Sequence, residues 1–179
     1  MIRVSDIKTT LPEQFKTQLQ EQAYKVLRQL SVPFERVETD EVITMEDCAA
    51  VNRKMNMKMV KTLFLCNRRQ TEFYLFVTCG EKPFSSKKFS TALGISRVSF
   101  APVEKMESML KTKIGAATVF SALADTDNNI RIVFDREAIN EKYYGCSDGT
   151  TTGYLKIKTA DIIDKFLPFS KHTPVIIEV

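Results

Sequence analysis

Two apolar runs set the frame for this chain. Lys61-Thr-Leu-Phe-Leu-Cys66 and Glu72-Phe-Tyr-Leu-Phe-Val-Thr-Cys79 are separated by the polar stretch Asn67-Arg-Arg-Gln-Thr71. Runs of this length, rich in aromatic and branched residues and bounded by turn formers, read as paired strands. Their nearly unbroken apolar character, in place of strict alternation, puts them in the middle of a sheet covered on both faces. A fold that buries such a pair needs helices or a second sheet on either side of it.

The surrounding pattern supplies those elements. Phe15, Leu19, Ala23, Val26, Leu27 and Leu30 recur at helical spacing, so a helix is expected over Pro12–Leu30, with the proline in its first turn. Pro33–Val37 reads as a short extended piece. Thr44 followed by Asp47 resembles a capping box and starts a second helix through about Arg53. Ser85–Leu93 reads as a helix closed by Gly94, Arg97–Phe100 as a strand, and Pro102–Leu110 as a further helix. Thr118–Leu123 and Ile130–Phe134 are expected as strands joined across the turn-rich Asp125–Asn129, followed by a short helix from Asp135. Gly145–Gly153 reads as a polar loop, Tyr154–Ile157 as a strand, Thr159–Phe166 as a helix, and Val175–Val179 as an edge strand. This irregular order argues for an α+β domain with a mixed sheet and against a doubly wound nucleotide-binding fold. No repeat or linker interrupts residues 1–179, which read as one domain.

Several chemistries are excluded early. Neither G-x-x-x-x-G-K nor G-x-G-x-x-G occurs. The only histidine is His172, near the end of the chain, so a multi-histidine zinc site cannot form, and a Ser-His-Asp or Cys-His triad would have to draw on that residue. Cys48, Cys66, Cys79 and Cys146 lie far apart without a C-x-x-C pair and are expected as reduced thiols. No apolar run approaches the ~20 residues of a spanning helix, and the first residues lack a secretion signal. The expected location is the cytoplasm, away from membranes. A net charge of +4 is compatible with an anionic partner.

Three segments could carry chemistry. Lys61 stands where the chain enters the first apolar strand, a position from which a cation can reach a phosphate or ester oxygen. Ile114-Gly-Ala-Ala-Thr-Val-Phe120 combines a glycine with small residues, so its backbone can approach a ligand and its N–H groups can cradle an oxyanion. Gly145–Gly153 carries Cys146, Ser147, Asp148 and Thr150–Thr152, hydroxyl-rich groups suited to a polar substrate. A nucleophilic Cys146 would need a neighbouring base that the sequence does not supply.

The same segments, in this order, resemble the YbaK/prolyl-tRNA synthetase editing-domain family with its free-standing prolyl-tRNA deacylases. Val60-Lys61-Thr-Leu-Phe-Leu65 is similar to the family's K-[TN]-L-[FL]-[LV] strand start. Leu93-Gly94 with Arg97-Val-Ser-Phe-Ala101 resembles its L-G-x-x-x-[LV]-S-F-A segment. Gly115-Ala-Ala-Thr-Val-Phe120 resembles its G-x-x-x-P loop, and Ile130–Asp135 and Asp161–Leu167 match its closing strand and helix. Two departures stand out: Val119 replaces the loop proline, and Ser147-Asp148 with Thr151-Thr152 occupy the place of the prolyl-type His-Pro and Asn-Thr.

The resemblance implies a mixed, mostly antiparallel, barrel-like sheet flanked by helices. It places the core over residues 30–167, with a helix over 12–30 before it and a tail over 168–179. It also implies trans-editing of misacylated tRNA by ester hydrolysis. Lys61 and Gly115 would be catalytic, and Ala116, Ala117, Thr118, Val119, Cys146, Ser147, Asp148 and Thr151 would bind the aminoacyl end. No cofactor and no metal is expected, tRNA is the expected partner, and a homodimer stays open. The alternatives are a non-catalytic amino-acid or aminoacyl-tRNA binding module of the same fold, or a nucleic-acid or protein interaction domain using Arg53, Lys54, Lys58, Lys87 and Lys88.

Overall fold

A computed structural model describes residues 2–42 and 44–179. The chain forms α1 (Gln18–Gln29), β1 (Phe34–Glu38), α2 (Met45–Met55), β2 (Val60–Asn67), β3 (Phe73–Cys79) and α3 (Ser86–Leu93). β4 (Val98–Phe100) leads into α4 (Val103–Lys105), which widens into a π turn over Met106–Leu110. A 3-10 helix over Val119–Leu123 precedes β5 (Ile130–Asp135), α5 (Arg136–Asn140), β6 (Tyr143–Ser147) and β7 (Gly153–Lys158). α6 (Thr159–Asp161) continues through a π turn, Ile162–Phe166, into α7 (Leu167–Phe169), and β8 (Val175–Ile177) ends the order.

The strands form a three-stranded sheet, β1-β7-β6, and a five-stranded sheet, β4-β2-β3-β5-β8. The first is antiparallel; in the second, β4, β2 and β3 are antiparallel, whereas β5 and β8 run parallel to their neighbours. The α+β class and the mixed sheet therefore hold. No closed barrel forms among the described residues; the two sheets meet at a single parallel bridge between Met59 and Gly145. A Cβ on Gly145 would come within 2.8 Å of the Met57 sulfur and 3.0 Å of the Lys58 carbonyl, so only glycine permits that approach.

Alternation along the strands divides the core. Phe64, Leu75, Val77, Ile132 and Phe134 face α1, the 3-10 helix and the three-stranded sheet, packing on Leu27, Phe120, Phe166, Tyr144 and Leu155. Leu65, Tyr74, Phe76 and Val133 face the other way, against Phe89 of α3 and Ile177 of β8. Both faces of β2 and β3 are covered, as their continuous apolar runs require.

Local signals behaved as their chemistry dictates. The Thr44 hydroxyl and the Asp47 carboxylate form a reciprocal capping box on α2, and Gly94 closes α3 at φ 65°. Three expectations change. α1 begins at Gln18, because the Thr17 hydroxyl accepts from the Gln20 N–H and caps the helix there. Thr118–Leu123 is helical: the Thr118 side chain caps it, and Ser121 donates to the Leu110 carbonyl at 2.8 Å. A short apolar run of this kind has no periodicity to separate helix from strand, and β5 pairs with β3 instead. Finally, Gly145, Cys146 and Ser147 belong to β6, which shortens the loop to 148–152.

His172 lies in the core, its Nε2 2.9 Å from Asp125 Oδ2, while Asp125 also accepts from the Asn129 and Ile130 N–H groups. This pair ties the segment before β8 to the turn before β5. His172→Ala should destabilise the fold by about 2–3 kcal/mol in urea titration, the value of a buried bond to a charged group, and leave the chemistry of the folded fraction intact. Among the described residues no helix is long and apolar enough to cross a membrane.

Candidate active site beside the free edge of β2

β4 covers only part of β2. Leu65, Cys66 and Asn67 pair with Phe100, Ser99 and Val98, and the Ala101 N–H donates to the Phe64 carbonyl at 2.9 Å. Pro102 has no N–H to continue the ladder, and the chain turns away into α4. The Gly80 N–H donates to Met59 O and the Asn67 N–H to Glu72 O, so odd-numbered residues of β2 bond to β3. The main-chain groups of Thr62 consequently face the uncovered edge.

A cavity of about 500 Å³ opens at that edge. The start of α2 bounds it with Met45 and Cys48, Met59 and the first half of β2 as far as Phe64 line one side, and the stretch from the end of β4 to the π turn adds Phe100, Val103 and Met106. Ile114, Gly115 and Ala117 close one end, and Cys146, Ser147 and Tyr154 form the floor. The wall is mostly apolar, with three methionines. Unbranched thioethers adapt to the shape of a guest better than branched side chains do.

Lys61 lines this cavity half-buried. Its ammonium donates to the Lys82 carbonyl, and no carboxylate lies within ion-pairing distance of it among the described residues. Burial pulls its pKa below the usual 10.5, since a desolvated ammonium is disfavoured. The loop bearing that carbonyl is itself anchored. Lys82 Nζ pairs with Asp135 Oδ2 at 2.9 Å and with Glu137 at 3.4 Å, and Asp135 also accepts from the Thr78 hydroxyl at 2.7 Å. Thr78 lies directly opposite Lys61 in the β2–β3 register. Lys82, Asp135 and Thr78 are supporting residues that sequence reasoning missed. They come from three distant stretches, and no local pattern marks them.

Gly115 adopts φ 87°, a left-handed backbone that turns the chain under the cavity rim. The Ala116 N–H is engaged by the Lys113 carbonyl at 3.1 Å, so among the described residues the free donors of this turn are those of Gly115 and Ala117. Thr118 is fully buried, and its hydroxyl donates to the Ser147 carbonyl at 2.8 Å, which fastens the Gly115 turn to the end of β6.

Lys61, Gly115, Ala117, Cys146 and Ser147 therefore share one cavity. Ala116, Thr118 and Val119 are buried behind the turn, and Thr151 lies beside Gly115, its methyl 3.5 Å from where a Cβ would be. Asp148 points the other way, to Gln20 and Tyr24 of α1. Among the described residues no group of three or more His, Cys, Asp or Glu side chains is placed to hold a metal ion.

Cys146 faces the cavity, but burial and the nearby Asp148 charge push its thiol pKa up. A protonated thiol is a poor nucleophile. Cys146→Ala should keep hydrolysis within about one order of magnitude, and mass spectrometry of quenched reactions should find no acyl-enzyme. A trapped thioester would overturn that expectation.

The comparisons with known proteins bear on this geometry. Residues 39–165 match the family described as Aminoacyl-tRNA editing domain. The chain is 25% identical over 161 residues to Prolyl-tRNA synthetase associated domain-containing protein 1 of Danio rerio, covering 89% of this chain and 86% of that one. It is 26% identical over 113 residues to the prolyl-tRNA editing protein ProX of Acetoanaerobium sticklandii, covering 63% of this chain and 69% of that one. Among solved structures, that of a hypothetical protein superposes with TM-score 0.65 at 15% identity over 86% of this chain and 97% of the other. One of a protein put forward as a trans-editing enzyme for prolyl tRNA synthetase gives 0.63 at 12%, over 92% and 99%. The matched stretch takes in every residue that walls the cavity, from Val42 to Tyr154, and by that match the chain belongs to the aminoacyl-tRNA editing domain family.

Proposed function

We propose that this protein is a trans-editing deacylase: it hydrolyses the ester joining a wrong amino acid to the 3′-terminal ribose of tRNA. The observation that carries the reading is that Lys61 and the Gly115 turn open on the same apolar cavity in a chain of this family. The two named relatives point to tRNA charged by prolyl-tRNA synthetase as the substrate class. The reading takes the whole chain as one cytoplasmic domain with its core over residues 30–167.

An aminoacyl ester is already activated, so alignment does most of the work. Holding water, carbonyl and the neighbouring ribose hydroxyl in line contributes up to about 7–11 kcal/mol in favourable cases. That suits a site without histidine. The Lys61 ammonium, tethered to one neutral carbonyl, keeps donors for the acyl or terminal-phosphate oxygens. The Gly115 and Ala117 N–H groups receive the carbonyl oxygen as it becomes negative, an effect of about 3–4 kcal/mol per donor in known cases. The apolar wall sorts amino acids by size, where one methylene is worth about 1–3 kcal/mol.

The test is a deacylation screen of the purified protein over a panel of correctly and wrongly charged tRNAs. At least one misacylated tRNA should lose its amino acid well above the spontaneous rate. Tight binding without turnover across the panel would replace this reading with that of a binding module.

A further inference from the structure

Seven large apolar side chains are markedly exposed among the described residues, and four of them, Met45, Phe100, Val103 and Ile114, line the one cavity described above. Ile114 is the most exposed at 69%, and Phe100 follows at 62%. Scattered exposed apolar groups are ordinary, but a cluster around one opening marks a surface that a ligand covers. Within the wall Met59 and Phe64 are buried, whereas Phe100 and Ile114 are its most exposed apolar members and form its lip.

Phe100 is held as a plate. It lies opposite Leu65 in the β2–β4 register, on the face of β2 that carries Lys61. Phe84 packs against it with ring centroids 5.7 Å apart at 59°, and Phe84 is in turn fixed by Phe76 and Phe89. One side of the Phe100 ring is thus braced while the rest is open. Cations stand on two sides of the lip, whereas exposed Glu46, Glu104 and Glu107 lie beside Met45, Val103 and Met106 on the others. Lys111 and Lys113 precede Ile114 on the same connection, both exposed, and exposed Lys87 and Lys88 lie in the first turn of α3 just beyond Phe84. An exposed aromatic plate with lysines around it is the physical recipe for binding unpaired nucleic acid, with a base on the ring and phosphates on the cations.

We propose that Phe100 and Ile114 clamp the terminal base of the unpaired 3′ end of tRNA, Phe100 by stacking and Ile114 from across the lip. The cavity then receives only the ribose and the aminoacyl group. This rests on the deacylase reading for its substrate. It adds a grip on the terminal base, which Lys61 and the Gly115 turn do not supply. Phe100 is a positioning residue: it grips the end of the substrate that does not react.

Binding of uncharged RNA tests the clamp independently of hydrolysis. The probes are a hairpin with a single-stranded C-C-A end whose last base is 2-aminopurine, and the same hairpin with an abasic last ribose, each titrated against wild type, Phe100→Ala and Phe100→Trp. Loss of one base–aromatic stack weakens binding roughly 5- to 150-fold. Phe100→Ala should weaken the 2-aminopurine hairpin by a factor in that range, abolish its fluorescence quenching, and leave the abasic hairpin unchanged; Phe100→Trp should restore both binding and quenching. Equal affinity of wild type and Phe100→Ala for the 2-aminopurine hairpin, or an equal loss on both hairpins, overturns the proposal. Because Phe100 is exposed, matched melting curves will show that the variants are folded. A wild type that discriminates the hairpins through Phe100 but frees no amino acid from charged tRNA sinks the deacylase reading and leaves the clamp standing.

Discussion

Lys61→Met is expected to lower deacylation by about 10²–10³-fold, the loss that follows removal of a single preorganised donor to a developing negative charge, and to leave the melting temperature level or raised. The two effects separate because of where the ammonium sits. It is partly withdrawn from water, bonded to a neutral carbonyl and without a carboxylate partner among the described residues. Its folded-state pKa is therefore below the 10.5 of an ordinary lysine. A lysine with a depressed pKa burdens the fold while it is charged. That burden is fully present at neutral pH and lifts as pH rises from the folded value to the unfolded one. Methionine fills the same stem volume without the charge, so stability does not fall. The same shift predicts an alkaline limb: after subtraction of spontaneous ester hydrolysis, wild-type activity should decline at a pH below 10.5. Lys61→Arg cannot deprotonate in that range, so whatever activity it keeps should lack the decline. A Lys61→Met protein that melts far below wild type, or that deacylates normally, would remove Lys61 from the mechanism.

This division between chemistry and fold was partly legible in the residues themselves. The β2–β3 pair, the Thr44–Asp47 capping box and the Gly94 cap depend on neighbours within a few positions, and each stands where the chain places it. Lys61 at a strand entrance and Gly115 before small residues were legible as candidates for the same reason. What the residues could not disclose is long-range. β6 was hidden because Tyr143–Ser147 contains a glycine that looks like a turn former, when its real role is to let Met57 and Lys58 come close from the connection before β2. Val119, Phe120, Ser121 and Ala122 are all buried in succession, so the run carries no period. Free and engaged donors in the Gly115 turn cannot be told apart until the Lys113 carbonyl takes the Ala116 N–H.

Asp148 illustrates the same limit and carries the second large effect. In a hydroxyl-rich loop it reads as a substrate contact; in the fold it is 1% exposed and saturated with protein donors. Its Oδ2 accepts from Gln20 Nε2 at 2.8 Å and from the Tyr24 hydroxyl at 3.0 Å. Its Oδ1 accepts from the Thr150 hydroxyl at 2.7 Å and the Thr150 N–H at 3.1 Å. Burial and this carboxylate hold the Tyr24 hydroxyl well above its usual pKa, so it stays a donor at any working pH. Asp148→Ala strands the buried Gln20 amide and Tyr24 hydroxyl together, and should cost about 3–5 kcal/mol in denaturant titration. Asp148→Asn keeps one acceptor but turns an amide NH₂ toward groups that also donate, so its loss should be intermediate. Tyr24→Phe, which removes a single donor, should cost only about 1 kcal/mol. Because Tyr24 and Asp148 touch, the Tyr24→Phe/Asp148→Asn cycle should show a coupling of about 0.5–3 kcal/mol; strict additivity would mean the bond is not formed. The consequence reaches the cavity. α1 lies outside residues 39–165, yet through Asp148 it holds the segment that continues from Cys146 and Ser147 on the cavity floor. Asp148→Asn should therefore raise KM for a misacylated tRNA more than it lowers kcat, the opposite split from Lys61→Met, because it loosens the wall that receives the substrate and leaves the reacting groups in place.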